Sequence, residues 1–351
     1  MAPSDEKTEP KRWLLRPDSR SHVGAGHMAR CLALGAALAR HVETHAMLDP
    51  GGKPWAPKFS QVHIKAGFCQ TLEDMPPSSW DGIIVDGYDF SPAYFKRLAE
   101  MTPMLVAIDD FLSPPASATM VINPTPGLKG NHIGAVPALL GEGYALIDPA
   151  HGDSQPKMVG ATVGHIVVSC GMGDPERSNE LVVAALNVAF ADHPSLSVTV
   201  AVGAHVPHLS DIFALASQVD IPVTIKTEVS EMIGLYQSAD LVIGAGGVSL
   251  LERMACGLPS ASLAVADNQR AAIDGAARAG ATLNLGEAQD LTPEKLLEEL
   301  RPLLGEQILR SRMANQARKT VDGRGAERAA AAMLTFAEQK TGANPAHGKD
   351  A

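Results

Sequence analysis

The sequence predicts an α/β protein of two Rossmann-like domains, each built on a parallel sheet, with a cleft between them. Three observations carry this. Short apolar runs alternate with helix-forming segments along most of the 351 residues, as in parallel sheets covered on both faces. The pattern lapses over residues 125–159, which are rich in Gly and Pro and hold no sustained period, and then restarts. Each half opens alike, with an apolar run followed by a glycine turn. Ligands of such folds bind beyond the carboxyl ends of the strands, so function is expected in the cleft.

In order, residues 1–10 read as a disordered tail and Trp13-Leu14-Leu15 begins the first strand. A loop over 16–23 leads to Gly24-Ala25-Gly26-His27, and 28–40 reads as a helix through Leu32, Leu34, Ala36 and Leu38. Strands follow at 44–48, 62–65, 82–85, 104–108 and 120–122, with a helix at 92–100. The run at 82–85 ends in Asp86-Gly87-Tyr88, and that at 104–108 in Asp109-Asp110. The second half has strands at 165–169, 197–202, 222–225, 241–243, 261–265 and 282–285, with helices between. Amphipathic helices are expected at 293–304 and 307–320, and a last helix at 326–340. The expected division is 11–150 for the first domain and 151–323 for the second. Residues 324–340 form a helix packing back on the first domain, and 341–351 a disordered tail.

Bulk properties exclude several classes. A formal net charge of −10 disfavours nucleic acid as the main partner. Cys31, Cys69, Cys170 and Cys256 are far apart with no CxxC pair, which speaks against a disulfide framework or zinc site. The polar start MAPSDEKTEPKRW lacks the apolar core of a signal peptide, and no run approaches the roughly 18 apolar residues of a membrane span. A cytoplasmic protein is expected, with no membrane span. Oligomeric state is not legible, and a monomer is the working expectation.

Two stretches carry chemistry. Gly24-x-Gly26-x-x-Ala29 has the form of a dinucleotide fingerprint. The long loop before Gly24 and the bulk of His27 argue against a nicotinamide or flavin cofactor, because the fingerprint needs its first glycine directly after the strand. His27 at a helix start suits a general base, since the positive helix end favours a neutral ring able to accept a proton. A histidine that only caps or packs fits the spacing equally well.

Residues 241–269, LVIGAGGVSLLERMACGLPSASLAVADNQ, read as strand, glycine turn, helix, strand and polar tip. Such a unit offers backbone N–H groups and a positive helix end to an anion, here the phosphates of a nucleotide. Ser249-x-x-Glu252 has the form of a capping box. The functional alternative has Gly246 and Gly247 opening the approach, Ser249 holding phosphate and Glu252 accepting ribose hydroxyls. There is no GKS or GKT, hence no Walker A loop. Asp267-Asn268-Gln269 either caps a helix starting near Arg270 or turns side-chain amides toward a sugar. No metal-ligand spacing accompanies the strand-end acids, so no metal and no cofactor is expected.

LRPDSRSHVGAGHMARCLALGAAL, IIVDGY, VAIDD, VINPTPG, VVSCGMGDPERSN and IGAGGVSLLERMACGLPSASLAVADNQ occur in that order. Over residues 12–335 this resembles the UDP-2,4-diacetamido-2,4,6-trideoxy-β-L-altropyranose hydrolase family of pseudaminic acid biosynthesis. That family lies in the GT-B superfamily that includes the lipid II N-acetylglucosaminyltransferase. The resemblance implies a GT-B fold, with sugar and catalytic base on the first domain and UDP on the second. It implies His27 as base, Tyr88 and Asn268 lining the sugar site, and Gly246, Gly247, Ser249 and Glu252 in the UDP signature; Gly26, Arg30 and Gln269, beside these motifs, are also expected to bind substrate. Residues 171–174, with Gly171 and Gly173, would face the diphosphate. Two departures stand out. Tyr144-Ala145-Leu146-Ile147-Asp148 lacks the Arg common in that motif, and Cys170-Gly171-Met172-Gly173 replaces the usual Gly-Gly-Ser.

The activity this implies is metal-independent, inverting hydrolysis of a UDP-linked diacetamido-trideoxy hexose by water that His27 activates, in a pathway tied to flagellin glycosylation. The alternative is a GT-B glycosyltransferase with a UDP-sugar donor, in which His27 activates an acceptor hydroxyl. A non-catalytic nucleotide-sugar-binding subunit is a third reading.

Overall fold

The computed structural model describes residues 11–20, 25–71, 79–174, 176–227, 229 and 231–342. The expected tail 1–10, most of the tail 341–351 and Gly24 of the first glycine motif lie outside the described residues.

Strands β1 (Arg12–Pro17), β2 (Glu43–Leu48), β3 (Lys65–Phe68), β4 (Gly82–Asp86), β5 (Leu105–Ile108), β6 (Met120–Asn123), β7 (His132–Ile133) and β8 (Val136–Leu140) form one sheet. Its order is β3-β2-β1-β4-β5-β6-β8-β7. Strands β9 (His165–Ser169), β10 (Ser197–Ala201), β11 (Val223–Lys226), β12 (Leu241–Ala245), β13 (Ser260–Ala264) and β14 (Leu283–Glu287) form the other, in the order β11-β10-β9-β12-β13-β14. Pairing is parallel except in the hairpin β7–β8. The central strands are buried along their whole length, which is why they read as unbroken apolar runs.

In each sheet the chain enters mid-sheet, moves out to one edge, and crosses back to build the other side. The crossing leaves a crevice beyond the carboxyl ends at β1/β4 and at β9/β12, where Leu15 pairs with Ile84 and Val168 with Ile243. Every candidate residue discussed below lies near one of these two switch points or on the strand ends beside them.

Four details differ from the sequence reading. The third strand is Lys65–Phe68, not 62–65: a helix, Ala56–Gln61, ends through Val62 and His63 bonded back to Phe59 and Ser60, with His63 at φ 63°. Residues 125–159, where the sequence shows no sustained period, hold β7 and β8, which extend the first sheet. The helix expected near Arg270 starts at Asp267, so Asn268 and Gln269 lie in its first turn. Ser249 is not an N-cap: the helix Val248–Ala255 has Gly247 there, with no side-chain cap bond.

The last helix, Gly325–Gly342, returns to the first sheet. Ala326, Ala329, Ala330 and Met333 join a core that includes Trp13, Leu34 and Ile84. Gly325 allows the approach, since a Cβ there would fall 2.2 Å from the Ala145 nitrogen. We propose that the halves divide near residue 150, at the short helix Ala150–Asp153. Among the described residues no helix is long and apolar enough to cross a membrane.

Candidate active site

His27 lies in the first turn of the helix Gly26–Leu38, which follows β1, and Asp86 ends the neighbouring β4. Sheet order thus brings together two residues 59 positions apart, with His27 Nδ1 2.5 Å from Asp86 Oδ1. Asp86 is fully buried and His27 nearly so. A carboxylate can only accept, so the contact with Asp86 favours the tautomer with its proton on Nδ1, which leaves Nε2 as the acceptor. The helix start has no side-chain cap bond from its N-cap residue, Ala25, and the ring is held by the sheet instead.

Arg30, one helical turn on, ties the acids together. Its Nε and Nη2 donate to Asp86 at 3.0 and 2.7 Å, and its Nη1 donates to both oxygens of Asp110 at 2.8 and 2.7 Å. The sequence reading placed Arg30 at the substrate. Its buried fork is instead committed to Asp86 and Asp110, and its Nη2 also lies 3.1 Å from His27 Nδ1. Burial alone would raise the Asp110 pKa, but the Arg30 charge outweighs it and holds the carboxyl below the usual range.

Tyr88 donates to Asp110 Oδ2 and stands edge-on to the His27 ring, centroids 4.6 Å apart. The residue is exposed at 42% of its surface, and its hydroxyl is engaged by Asp110 and Asn268. Burial first, then Asp110, push the phenol upward against the pull of Arg30, so it stays protonated. From the second half, Asn268 Nδ2 donates to Tyr88 Oη at 2.8 Å. The two residues that the resemblance placed at the sugar therefore meet, from opposite halves.

Gly26 also faces the second half, because a Cβ on it would lie 3.5 Å from Val248 Cγ2. The starts of the helices Gly26–Leu38 and Val248–Ala255 are therefore neighbours. Neither has a side-chain cap or an acidic residue in its first turn. Two helix starts without a side-chain cap, each with partial positive charge, lie together between the halves, an arrangement suited to an anion.

Around this point the glycines differ in role. Gly246 was expected to open the approach. Its Cβ would instead meet Ile273 Cγ1 at 2.4 Å, and its N–H donates to Gln269 Oε1 at 3.2 Å, so packing demands it. Gly247 is open, with only Gln269 Nε2 at 3.8 Å from a built Cβ. Gln269 Oε1 also accepts from Val265 N at 3.1 Å, which pins the ends of β12 and β13 together and leaves the amide nitrogen on the Gly247 side. Ser249 Oγ accepts from Arg253 Nη1 at 3.1 Å. Glu252 accepts a long bond of 3.4 Å from Tyr236 Oη, and His151 Nε2 lies 4.0 Å from it.

After β9, Gly171 (φ 94°) and Gly173 would bring a Cβ into open space, as a loop bordering a ligand requires. Asp174 does not face a ligand. It is fully buried, and accepts from the Ser178 and Asn179 backbone N–H groups at 2.8 and 3.0 Å, occupying the start of the next helix. Among the described residues Asp174, Glu180 and His208 place possible ligand atoms within 4.8 Å of one another, with Asp174 already engaged as described.

Sequence reasoning missed Asp86 as the partner of His27 and Asp110 as the partner of Arg30 and Tyr88, and considered strand-end acids only as metal ligands. Their position at the ends of buried runs was the available signal. Nothing in the sequence marked Arg253, Tyr236 or His151.

No family model matches the chain. The spore coat polysaccharide biosynthesis protein SpsG of Bacillus subtilis is 28% identical over 178 residues, 50% of this chain. The matched part spans about half (51%) of that curated relative. A solved UDP-GlcNAc 2-epimerase from Neisseria meningitidis, bound to UDP-GlcNAc, is similar at TM-score 0.65 and 12% identity, over 93% of this chain and 100% of that one. A glycosyltransferase from Rickettsia africae is similar at TM-score 0.65 and 11% identity, over 96% and 100%. These structural likenesses agree with the two sheets described above: the chain has the GT-B fold of two parallel-sheet α/β units, shared by glycosyltransferases and epimerases.

Proposed function

We propose that this protein hydrolyses a UDP-linked 2,4-diacetamido-2,4,6-trideoxy hexose to UDP and the free sugar, in nonulosonic (pseudaminic) acid biosynthesis in the cytoplasm. The observation that carries the reading is the buried His27–Asp86 pair, set beside two uncapped helix starts. Similarity to a polysaccharide biosynthesis protein and to a fold neighbour holding UDP-GlcNAc supports a UDP-sugar as the ligand.

In this reading the diphosphate lies at the Gly247–Ser249 turn and the sugar extends toward Tyr88 and Asn268. His27 Nε2 takes a proton from water as the water oxygen bonds to the anomeric carbon. The bond from that carbon to the β-phosphate oxygen breaks, and UDP leaves with inversion. Helix-start N–H groups stabilise the charge that grows on the leaving phosphate. Asp86 steadies the imidazolium that forms, and Arg30 keeps Asp86 in place. No step calls for a metal or cofactor.

The test is incubation of the purified protein with the UDP-diacetamido sugar and no acceptor. Equal amounts of UDP and free sugar are expected. His27→Ala should lower turnover by about 10²–10⁴-fold while UDP still binds. Release of UDP only when an acceptor is added would replace this reading with a glycosyltransferase. An altered UDP-sugar with no UDP set free would replace it with an epimerase.

A further inference from the structure

Among the described residues four arginines are buried: Arg16, Arg30, Arg253 and Arg310. A buried guanidinium needs compensation, because removing its charge from water is costly. Three have it. Arg16 pairs with Asp49 through both nitrogens at 3.0 and 2.7 Å, and Arg30 with Asp86 and Asp110. Arg310 donates to four carbonyls, of which Leu303 and Leu304 belong to the negative end of the helix Pro293–Gly305.

Arg253 has no such partner. It is fully buried, and no carboxylate of the described residues lies within ion-pair distance of it. It donates to Ala245 O at 3.1 Å, Ser262 Oγ at 2.9 Å and Ser249 Oγ at 3.1 Å, and its Nε has no partner. Helical side chains lean toward the N-terminus, so a residue in the second turn of Val248–Ala255 carries its charge back beneath the positive start of its own helix. Two positive features are stacked there; Glu252 and Tyr236 are the nearest counterweights, and neither forms an ion pair with the guanidinium. Burial pulls the Arg253 pKa below its ordinary value against the opposing pull of Tyr236 and Glu252, as burial also does for Arg310, whereas the carboxylate-paired Arg16 and Arg30 are raised.

We propose that Arg253 is a positioning residue for a bound diphosphate: the anion compensates its charge, and its bond to Ser249 fixes that hydroxyl as a donor to phosphate. Because Ser249 Oγ accepts from Arg253, its own proton is free to point out of the helix start. The inference rests on the reading that UDP binds at this turn.

Calorimetric titration of UDP and of uridine, side by side, tests it. Arg253→Met should weaken UDP about tenfold to a hundredfold, the range for losing bonds to a charged group, and leave uridine unchanged. Arg253→Lys restores the charge without the fork and should recover part of the loss. Ser249→Ala should weaken UDP alone, and adding it to Arg253→Met should cost little more, because the two act as a unit. Unchanged UDP binding in Arg253→Met, or equal losses for UDP and uridine, would overturn the proposal. If the Met variant does not fold, the Lys and Ala variants carry the same comparison. A wild-type protein that binds no UDP would instead overturn the functional reading beneath it.

Discussion

At the scale of single residues, the proposed role of His27 as base depends on its partner. Asp86 holds His27 Nδ1 and has nothing to donate, so it selects the ring form with an open Nε2. Asparagine at the same place can present its amide N–H to Nδ1, which leaves the proton on Nε2 where water must be activated. Asp86→Asn should therefore lower kcat by about 10²–10⁴-fold with KM little changed, while a merely structural role would move stability and both constants together. The pairing was hidden in the sequence for a plain reason. Asp86 was visible as the end of a buried run, and His27 as a helix start after a strand. That β4 lies beside β1 is a property of sheet order, which local pattern does not reveal.

At the scale of elements, the two glycines of the second turn separate packing from approach. Gly246→Ala would drive a methyl group into Ile273 and should destabilise the fold by about 1–3 kcal/mol, read from urea unfolding. Gly247→Ala meets nothing so close and should keep stability while weakening UDP. The strand-turn-helix-strand unit itself was legible, since apolar runs and punctuating glycines are local signals. What was not legible was which glycine faces a neighbouring helix, because Ile273 comes from an element whose start was itself placed three residues late. The same limit produced the capping-box reading of Ser249. Pattern alone cannot distinguish a hydroxyl bonded to a backbone N–H from one bonded to a buried arginine.

At the scale of the molecule, the bond from Asn268 to Tyr88 links the halves across the site. Asn268→Ala should raise KM for the UDP-sugar more than it lowers kcat, because in the proposed reading Asn268 faces the sugar, and the change also removes its bond to Tyr88. Steady-state kinetics distinguishes this from the kcat effect at Asp86. Stability should also follow the buried acids. Burial alone would raise the Asp49 carboxyl, but bonds from Arg16 outweigh it and hold it below the usual range, as Arg30 does for Asp110. A depressed folded value means stability that is complete above the unfolded value of about 3.9 and is lost as pH falls through the folded one. Unfolding midpoints should hold between about pH 7 and 5 and drop below about 4. Asp49→Asn should lower the neutral midpoint and flatten that drop.

The central claim is that water, activated by His27, breaks the bond between the anomeric carbon and UDP. Turnover in water enriched in heavy oxygen tests it most directly, with products read by mass spectrometry and the first-formed anomer by NMR. The account predicts label in the free sugar, none in UDP, and an anomer inverted from that of the substrate. Label in the UDP phosphate, or a retained anomer, would contradict it.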